Sequence, residues 1–117
     1  DESRLYVPNM DGEVYAYDLA SRRVVWQYPG DGSGEPILAT PVVVDGQLAY
    51  ASDSGMMVVL RARDGAMQWE RRVGNEVRAP LTHHGNLVFL HSLDETVSAV
   101  DLVEKRLMWD QDLDDVR

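Results

Sequence analysis

Residues 16–26 read AYDLASRRVVW, and a related sequence ends at each of the three tryptophans of the chain. These tryptophans recur at intervals of 43 and 40 residues: Trp26, Trp69 and Trp109. Each one lies 14 residues after a residue in a predicted turn, which is Gly12, Gly55 or Glu95, respectively. A period of about 40 residues is typical of proteins built from repeated small sheets. The spacing therefore predicts three structural repeats.

Short apolar runs alternate with turns that contain Gly or Asp throughout each unit. The runs have the length and the β-branched and aromatic content of strands. Asp45-Gly46 is a strong hairpin signal, because glycine accepts the positive φ of a tight turn. The second unit has a leading strand, ATPVVV at 39–44, that the first unit lacks. The pattern therefore predicts eleven strands, one fewer than three complete four-stranded units would need.

Several of these strands are apolar on both faces, as in MMVVL at 56–60 and TVSAV at 96–100. Both faces of such strands must be covered. The blades of a β-propeller meet this requirement, because each small sheet is stacked between two neighbours. We therefore predict an all-β fold of about three four-stranded antiparallel propeller blades, a single partial propeller over residues 1–117. The predicted divisions are repeat units at approximately 4–28, 38–72 and 77–111 and an acidic tail at 112–117.

The repeats resemble the pyrroloquinoline-quinone-like (PQQ-like) family of propeller repeats, whose pattern is approximately A-x-D-x-x-T-G-K-x-x-W. The first unit matches this pattern at Ala16, Asp18, Ser21, Arg23 and Trp26. The third unit matches it at Ala99, Asp101, Arg106 and Trp109. The middle unit keeps Gly65 and Trp69 but has Val59 and Arg61 in place of the small residue and the acid. The resemblance covers nearly the whole chain, from about residue 5 to residue 111.

The resemblance implies that these positions hold blades together. A small residue leaves room for an indole to lie flat against the neighbouring blade, which buries about 150 to 250 Å² of aromatic surface. Seven residues are expected to dock the blades: Ala16, Asp18, Trp26, Trp69, Ala99, Asp101 and Trp109. Arg22 and Lys105 stand where the family usually has glycine, and a left-handed backbone there would cost about 1 kcal/mol at each. Whether these turns keep the family's shape is open at this point.

Three units do not close a propeller, which has about four to eight blades. An open stack leaves apolar faces and strand edges exposed at both ends. Two arrangements would cover them. We favour a piece of a longer propeller, whose further blades lie in the parent chain, and the alternative is association of the chain with copies of itself.

Histidines and turn aspartates are the other candidate ligands: His83, His84 and His91, and Asp11, Asp53 and Asp94. Neighbouring histidines on a strand point to opposite faces, and each turn offers too few oxygens to hold calcium. We therefore expect surface histidines and turn-forming aspartates. The glycine-rich segment GDGSGEP at 30–36 lacks the lysine and helix start of a phosphate-binding loop. It is interpreted as a loop between blades, by default a tolerated surface insertion and alternatively a contact site. No catalytic, cofactor-binding or metal-binding residue is predicted.

Composition excludes several classes of partner. Twenty acidic and eleven basic residues give a net charge of -9, which repels nucleic-acid phosphates and anionic lipid surfaces. No apolar stretch is long enough to cross a bilayer as a helix, so direct membrane insertion is not expected. The chain has no cysteine, which excludes a disulfide framework and a cysteine nucleophile. The composition does not identify a partner, and a protein partner is expected from the family resemblance alone.

The function is suggested by the resemblance alone. It implies a non-enzymatic scaffold or protein-binding module of the bacterial cell envelope, similar to the propeller lipoprotein that assists outer-membrane β-barrel assembly. The location would be periplasmic or otherwise extracytoplasmic. The alternative is a fragment of a PQQ-dependent quinoprotein dehydrogenase, an oxidoreductase whose propeller positions the cofactor. A third possibility, the sensor portion of a larger signalling protein, has no positive mark in the sequence.

Overall fold

A computed structural model of the chain describes residues 3–30, 34–73, 76–77 and 80–113. Its strands are β1 (Arg4–Pro8), β2 (Val14–Asp18), β3 (Arg23–Tyr28), β4 (Val42–Val44), β5 (Gln47–Ala51), β6 (Met56–Arg61), β7 (Met67–Arg72), β8 (Thr82–His84), β9 (Leu87–His91), β10 (Thr96–Asp101) and β11 (Arg106–Asp112). Within the described ranges there is no helix of the length and apolarity that a membrane span requires.

The strands form three antiparallel sheets, each a meander in chain order. Blade 1 contains β1 to β3, blade 2 contains β4 to β7, and blade 3 contains β8 to β11. Blade 1 has three strands and the other two have four, which confirms the predicted all-β partial propeller. The repeat boundaries given above and the acidic tail remain predictions, and residues 114–117 lie outside the described part.

All three blades have a register shift between their last two strands. The register shifts between Ala16 and Tyr17 in blade 1, and at the corresponding positions in the other two blades: Val59/Leu60 and Ala99/Val100. Each shift comes directly after the residue that pairs with a tryptophan: Ala16 with Trp26, Val59 with Trp69, and Ala99 with Trp109. A β-bulge bends a strand and re-aims its side chains. The spacing between the small residue and the tryptophan therefore places them opposite each other on one face of the blade.

Two apolar cores lie between consecutive blades. In the first, Trp26 and Tyr6 of blade 1 pack against four buried residues of blade 2: Leu48, Tyr50, Val58 and Leu60. In the second, Val59 and Met57 on the opposite face of blade 2 join four buried residues of blade 3: Val88, Leu90, Val100 and Leu102. We call the face toward the preceding blade the leading face and the opposite one the trailing face. Blade 2 buries both, which explains why its strands are apolar on both parities.

The turns before the tryptophan strands keep one backbone shape despite their different residues. Gly65 has φ of +78°, and Arg22 and Lys105 at the corresponding positions have φ of 60° and 55°. The backbone N–H at this position donates to the carbonyl four residues earlier in blades 1 and 2, from Arg22 to Asp18 at 2.8 Å and from Gly65 to Arg61 at 2.7 Å. Arg22 and Lys105 thus take the left-handed conformation that favours glycine, and their turns keep the shape of the Gly65 turn.

We expect the Arg22→Gly substitution to stabilise the chain by up to about 1 kcal/mol. Glycine adopts the left-handed backbone without the strain of about 1 to 2 kcal/mol that a side chain causes there. The greater freedom of glycine in the unfolded chain offsets about 0.4 to 1 kcal/mol of this gain. Urea unfolding of both proteins measures the difference. Arg23→Gly, at the first residue of β3, is the control and should destabilise the chain. Equal losses of stability in the two variants would contradict the strain at Arg22.

Candidate functional site

The indole of Trp26 connects blade 1 to blade 2. Its Nε1–H donates a hydrogen bond to the carbonyl oxygen of Ala62 at 2.9 Å. The Arg4 guanidinium donates to the same oxygen at 2.8 Å and to the carbonyl oxygen of Arg63 at 3.0 Å. The ring of Tyr6 lies beside the indole, with 5.9 Å between the ring centroids. Three side chains of blade 1 therefore converge on the turn of blade 2 that follows β6.

Gly65, in that same turn, lies directly against the Trp26 ring. A Cβ atom built on Gly65 would lie 2.6 Å from Cε3 of the indole, which is far inside van der Waals contact. The indole therefore packs on the bare backbone of Gly65, and glycine also suits the positive φ there. On its own blade the ring is opposite Ala16, a completely buried small residue. Glycine on one side and alanine on the other make the space in which the indole lies.

The second blade interface uses the same acceptor position with different donors. The carbonyl oxygen of Leu102, which corresponds to Ala62, accepts from the Gln47 amide of blade 2 at 3.5 Å. It also accepts from Lys105 Nζ of its own turn at 3.1 Å. Gln47 pairs with Arg61 just as Arg4 pairs with Asp18, so the two long donors occupy one repeat position. The half-buried Trp69 packs against the core between blades 2 and 3. Lys105 stands at the repeat position of Gly65 but, unlike glycine, carries a Cβ.

Trp109 occupies the same position on the trailing face of blade 3. It pairs with the buried Ala99 and lies 6.2 Å from the ring of Phe89, which repeats the pair of Trp26 and Tyr6. Its side chain is 45% exposed, because no blade among the described residues covers it. The structure therefore brings Trp26 and Trp69 into blade interfaces and places Trp109 on a face that no described blade covers.

The aspartates of the repeat pattern hold the turn that carries the acceptor carbonyl. Asp18 Oδ2 accepts a hydrogen bond from the backbone N–H of Ser21 at 3.0 Å. Asp101 Oδ1 accepts from the backbone N–H groups of Val103 and Glu104 at 2.8 and 3.0 Å. A carboxylate that bonds the backbone two or three residues on stabilises a tight turn. The acid of the pattern therefore shapes this turn, which in blade 3 carries the Leu102 carbonyl that Gln47 of blade 2 contacts.

Blade 2 lacks this acid and stabilises its turn with Asp64 instead. Asp64 Oδ1 accepts from the backbone N–H of Ala66 at 3.1 Å, and Arg61 Nη1 forms an ion pair with Asp64 Oδ2 at 2.9 Å. Arg61 and Asp64 thus replace the missing acid with a pair three residues apart. Hydrogen bonds from Ser21 lower the pKa of Asp18 below its ordinary value of 3.8. The backbone N–H of Ala66 and then the Arg61 charge lower the pKa of Asp64 in the same way.

These lowered pKa values predict acid sensitivity. A carboxyl group whose pKa is lower in the folded chain stabilises the fold above its ordinary value of 3.8 and loses that contribution as the pH falls through the folded pKa. We expect the Asp18→Asn variant to lose less stability than the parent chain between neutral pH and about pH 3. Urea unfolding across this range measures the effect. Asp94→Asn removes the same charge from an exposed turn, and an equally reduced pH dependence in that control would contradict the role of the Asp18 turn.

The other sequence candidates lie apart from the docking contacts. His83 and His84 are exposed on β8, and His91 Nε2 lies 3.4 Å from Glu95 Oε2 at the surface. The described ranges hold no group of three or more His, Cys, Asp or Glu side chains that could hold a metal ion. Asp11 lies in a turn where the Asn9 side chain accepts its backbone N–H at 2.9 Å. Of the segment 30–36, residues 31–33 lie outside the described part.

Sequence reasoning missed Arg4 and Gln47, the long side chains that donate to the acceptor carbonyl of the next blade. The signal was present, because each lies fourteen residues before the corresponding member of the repeat, Asp18 or Arg61. Aligning the repeats upstream of the tryptophan pattern would have placed these two hydrogen-bond donors at the same position.

Comparison with known proteins agrees with this geometry. Residues 1–116 match the family model described as outer membrane protein assembly factor BamB. The BamB protein of Yersinia pestis is 28% identical over 120 residues, which cover 97% of this chain and 30% of that protein. The chain therefore spans about a third of the length of this curated relative.

Solved structures show the same fold. The crystal structure of BamB from Moraxella catarrhalis matches with a TM-score of 0.80 at 20% identity, covering 97% of this chain and 34% of that one. A europium-containing methanol dehydrogenase matches with a TM-score of 0.77 at 16% identity, covering 92% of this chain and 23% of that one. At these identities the structural likeness shows the propeller fold alone. The family model, which spans almost the entire sequence, shows more: the chain belongs to the outer membrane protein assembly factor BamB family of PQQ-like propeller repeats.

Proposed function

We propose that the chain acts as a non-enzymatic propeller scaffold in outer-membrane protein assembly and binds protein partners in the bacterial envelope. The observation that carries the proposal is the match of residues 1–116 to the BamB family. The periplasmic or otherwise extracytoplasmic location expected from the sequence is confirmed by this family membership.

The chemistry of the repeat supports a scaffold. Seven residues are assigned to blade docking: Ala16, Asp18, Trp26, Trp69, Ala99, Asp101 and Trp109. Asp18 and Asp101 use their carboxylates within turns, and Trp26 uses its N–H on the next blade. Polar groups engaged in this way position backbone and do not need a substrate to satisfy them. The net charge of -9 favours a partner that carries basic surface.

A chimera tests the proposal. Residues 1–117 would replace the matching segment of Yersinia pestis BamB in a strain without its own copy, and folded β-barrel proteins in the outer membrane would be measured by their heat-modifiable migration on gels. The control chimera carries the matching blades of the methanol dehydrogenase, which have the same fold without the family's sequence. We expect the first chimera to restore assembly and the second to fail.

Two results would overturn the proposal. One is a first chimera that accumulates in folded form and restores nothing, and the other is equal restoration by both chimeras. The enzymatic alternative is tested separately by calorimetry with pyrroloquinoline quinone and calcium. Stoichiometric binding of the quinone would replace the non-enzymatic assignment with a dehydrogenase one.

A further inference from the structure

The two blade interfaces inside the chain use different residue pairs at the same repeat positions. Between blades 1 and 2 the long hydrogen-bond donor is Arg4, and the turn that it contacts contains Gly65. Between blades 2 and 3 the donor is Gln47, and the turn contains Lys105. A charged donor thus meets a turn residue without a side chain, and a neutral donor meets a charged turn residue. The two pairs differ in both shape and charge.

Shape restricts the trailing face of blade 1 to a glycine turn. A Cβ atom on Gly65 would lie 2.6 Å from Cε3 of the Trp26 ring. Lys105 carries that Cβ atom in the same left-handed conformation, with φ of 55° where Gly65 has +78°. The face of blade 1 placed on the blade 3 turn would therefore bring the indole into the lysine side chain. Overpacking of this kind destabilises a contact.

Charge acts in the same direction as shape. Arg4 Nη1 lies 2.8 Å from the carbonyl oxygen of Ala62, and Lys105 Nζ lies 3.1 Å from the equivalent oxygen of Leu102. The face of blade 1 on the blade 3 turn would therefore hold two cations at one carbonyl oxygen. Both contacts are partly buried, so solvent ions screen the repulsion less than at an exposed site. Gln47 is neutral, and it shares the oxygen with the lysine without this repulsion.

The second tryptophan shows what the lysine changes. Trp26 donates its indole N–H to Ala62, whereas Trp69 makes no such bond with any residue that the structure describes. Trp69 packs against the apolar core between blades 2 and 3, and Lys105 Nζ donates to the equivalent carbonyl oxygen. The lysine therefore supplies in the second interface a hydrogen bond that the indole supplies in the first.

We propose that Gly65 and Lys105, together with the donors Arg4 and Gln47, determine which blade faces can dock. The trailing face of blade 1 accepts the blade 2 turn and rejects the blade 3 turn. Blades with similar apolar faces can assemble in the wrong order, and misassembly is a characteristic failure of repeat proteins. All four residues lie in the two interfaces between described blades, so the proposal depends neither on how the remaining faces are covered nor on a partner in the envelope.

Exchanging the pairs tests the proposal by urea unfolding of the whole chain. The turn exchange is Gly65→Lys with Lys105→Gly, and the donor exchange is Arg4→Gln with Gln47→Arg. We expect each exchange alone to lower the equilibrium constant for folding. The fourfold variant restores both pairs in exchanged positions, so its equilibrium constant should exceed the value expected from independent losses by about tenfold.

The interface between blades 2 and 3 provides a second test. Gln47→Arg alone should destabilise the chain, and the loss should shrink as sodium chloride is added, because salt screens the repulsion from Lys105. Gln47→Met removes the donor without adding a charge, and the loss in this control should not depend on salt. Adding Lys105→Gly to Gln47→Arg should restore stability. It should also protect the Trp69 indole N–H from hydrogen exchange, because the carbonyl of Leu102 is then free to accept it.

Independent losses in the fourfold variant would overturn the proposal, because the turn residue and the donor would then act separately. The same salt dependence for Gln47→Arg and Gln47→Met would also overturn it. If the turn exchange alone does not fold, a folded fourfold variant supports the proposal. If neither folds, the decision rests on Lys105→Gly: the proposal stands if this substitution restores the stability that Gln47→Arg removes, and it falls if the loss persists.

Discussion

Replacing Trp26 by alanine is expected to lower the free energy of unfolding by about 3 kcal/mol, the lower part of the range for removal of a large aromatic side chain. The substitution removes the hydrogen bond to Ala62 and the packing of the ring on Gly65 and Tyr6. It also leaves a void between blades 1 and 2, where the surrounding side chains are held in place by their strands. Urea or thermal unfolding measures the loss.

Trp109 provides a matched control at the same repeat position. Trp109 is 45% exposed, so Trp109→Ala should cost about 1 kcal/mol or less. Trp26→Phe keeps most of the ring and loses the N–H, and should cost about 1 kcal/mol. Equal losses for Trp26→Ala and Trp109→Ala would show that the first indole does not hold two blades together.

Replacing Gly65 by alanine is expected to cost about 3 kcal/mol from two sources. A left-handed backbone with a Cβ costs about 1 to 2 kcal/mol. The new methyl group would lie 2.6 Å from the Trp26 ring, which forces the indole out of its position and adds about 1 to 3 kcal/mol of overpacking. The effect on stability therefore reports the contact between the glycine and the indole.

Gly46 separates the two sources. It has φ of +79°, and a Cβ there would meet no atom within 4 Å, so Gly46→Ala should show the backbone cost alone, about 1 to 2 kcal/mol. In addition, Trp26→Ala should relieve the clash, so that the double variant with Gly65→Ala loses less than the sum of the single losses. Similar losses for Gly65→Ala and Gly46→Ala, or additive losses in the double variant, would contradict the contact.

The blade architecture could be predicted from the sequence because its main signals are periodic and local. The tryptophans at 26, 69 and 109 set the repeat, and strands such as 56–60 show their burial by being apolar on both parities. The leading strand of blade 2 was visible as well, because the apolar run 42–44 precedes Gln47. These features depend on residue type and spacing, which a single sequence displays directly.

The contacts between blades could not be predicted in the same detail. Gly65 was visible as a turn glycine, but its contact with Trp26 joins residues 39 positions apart and depends on how two sheets stack. The shape of the turns at Arg22 and Lys105 was open for a similar reason. A residue with a Cβ disfavours a left-handed backbone, whereas the turn of the repeat requires one. The structure shows that the three turns share one conformation, which in blades 2 and 3 presents a carbonyl to the preceding blade.

Hydrogen exchange of the three indole N–H groups, followed by nuclear magnetic resonance, tests most directly whether the tryptophans clamp consecutive blades. Each indole signal is assigned by its loss in a Trp→Phe variant. We expect the N–H of Trp26 to be strongly protected and that of Trp109 to exchange rapidly. Equal and rapid exchange at both positions would contradict the account.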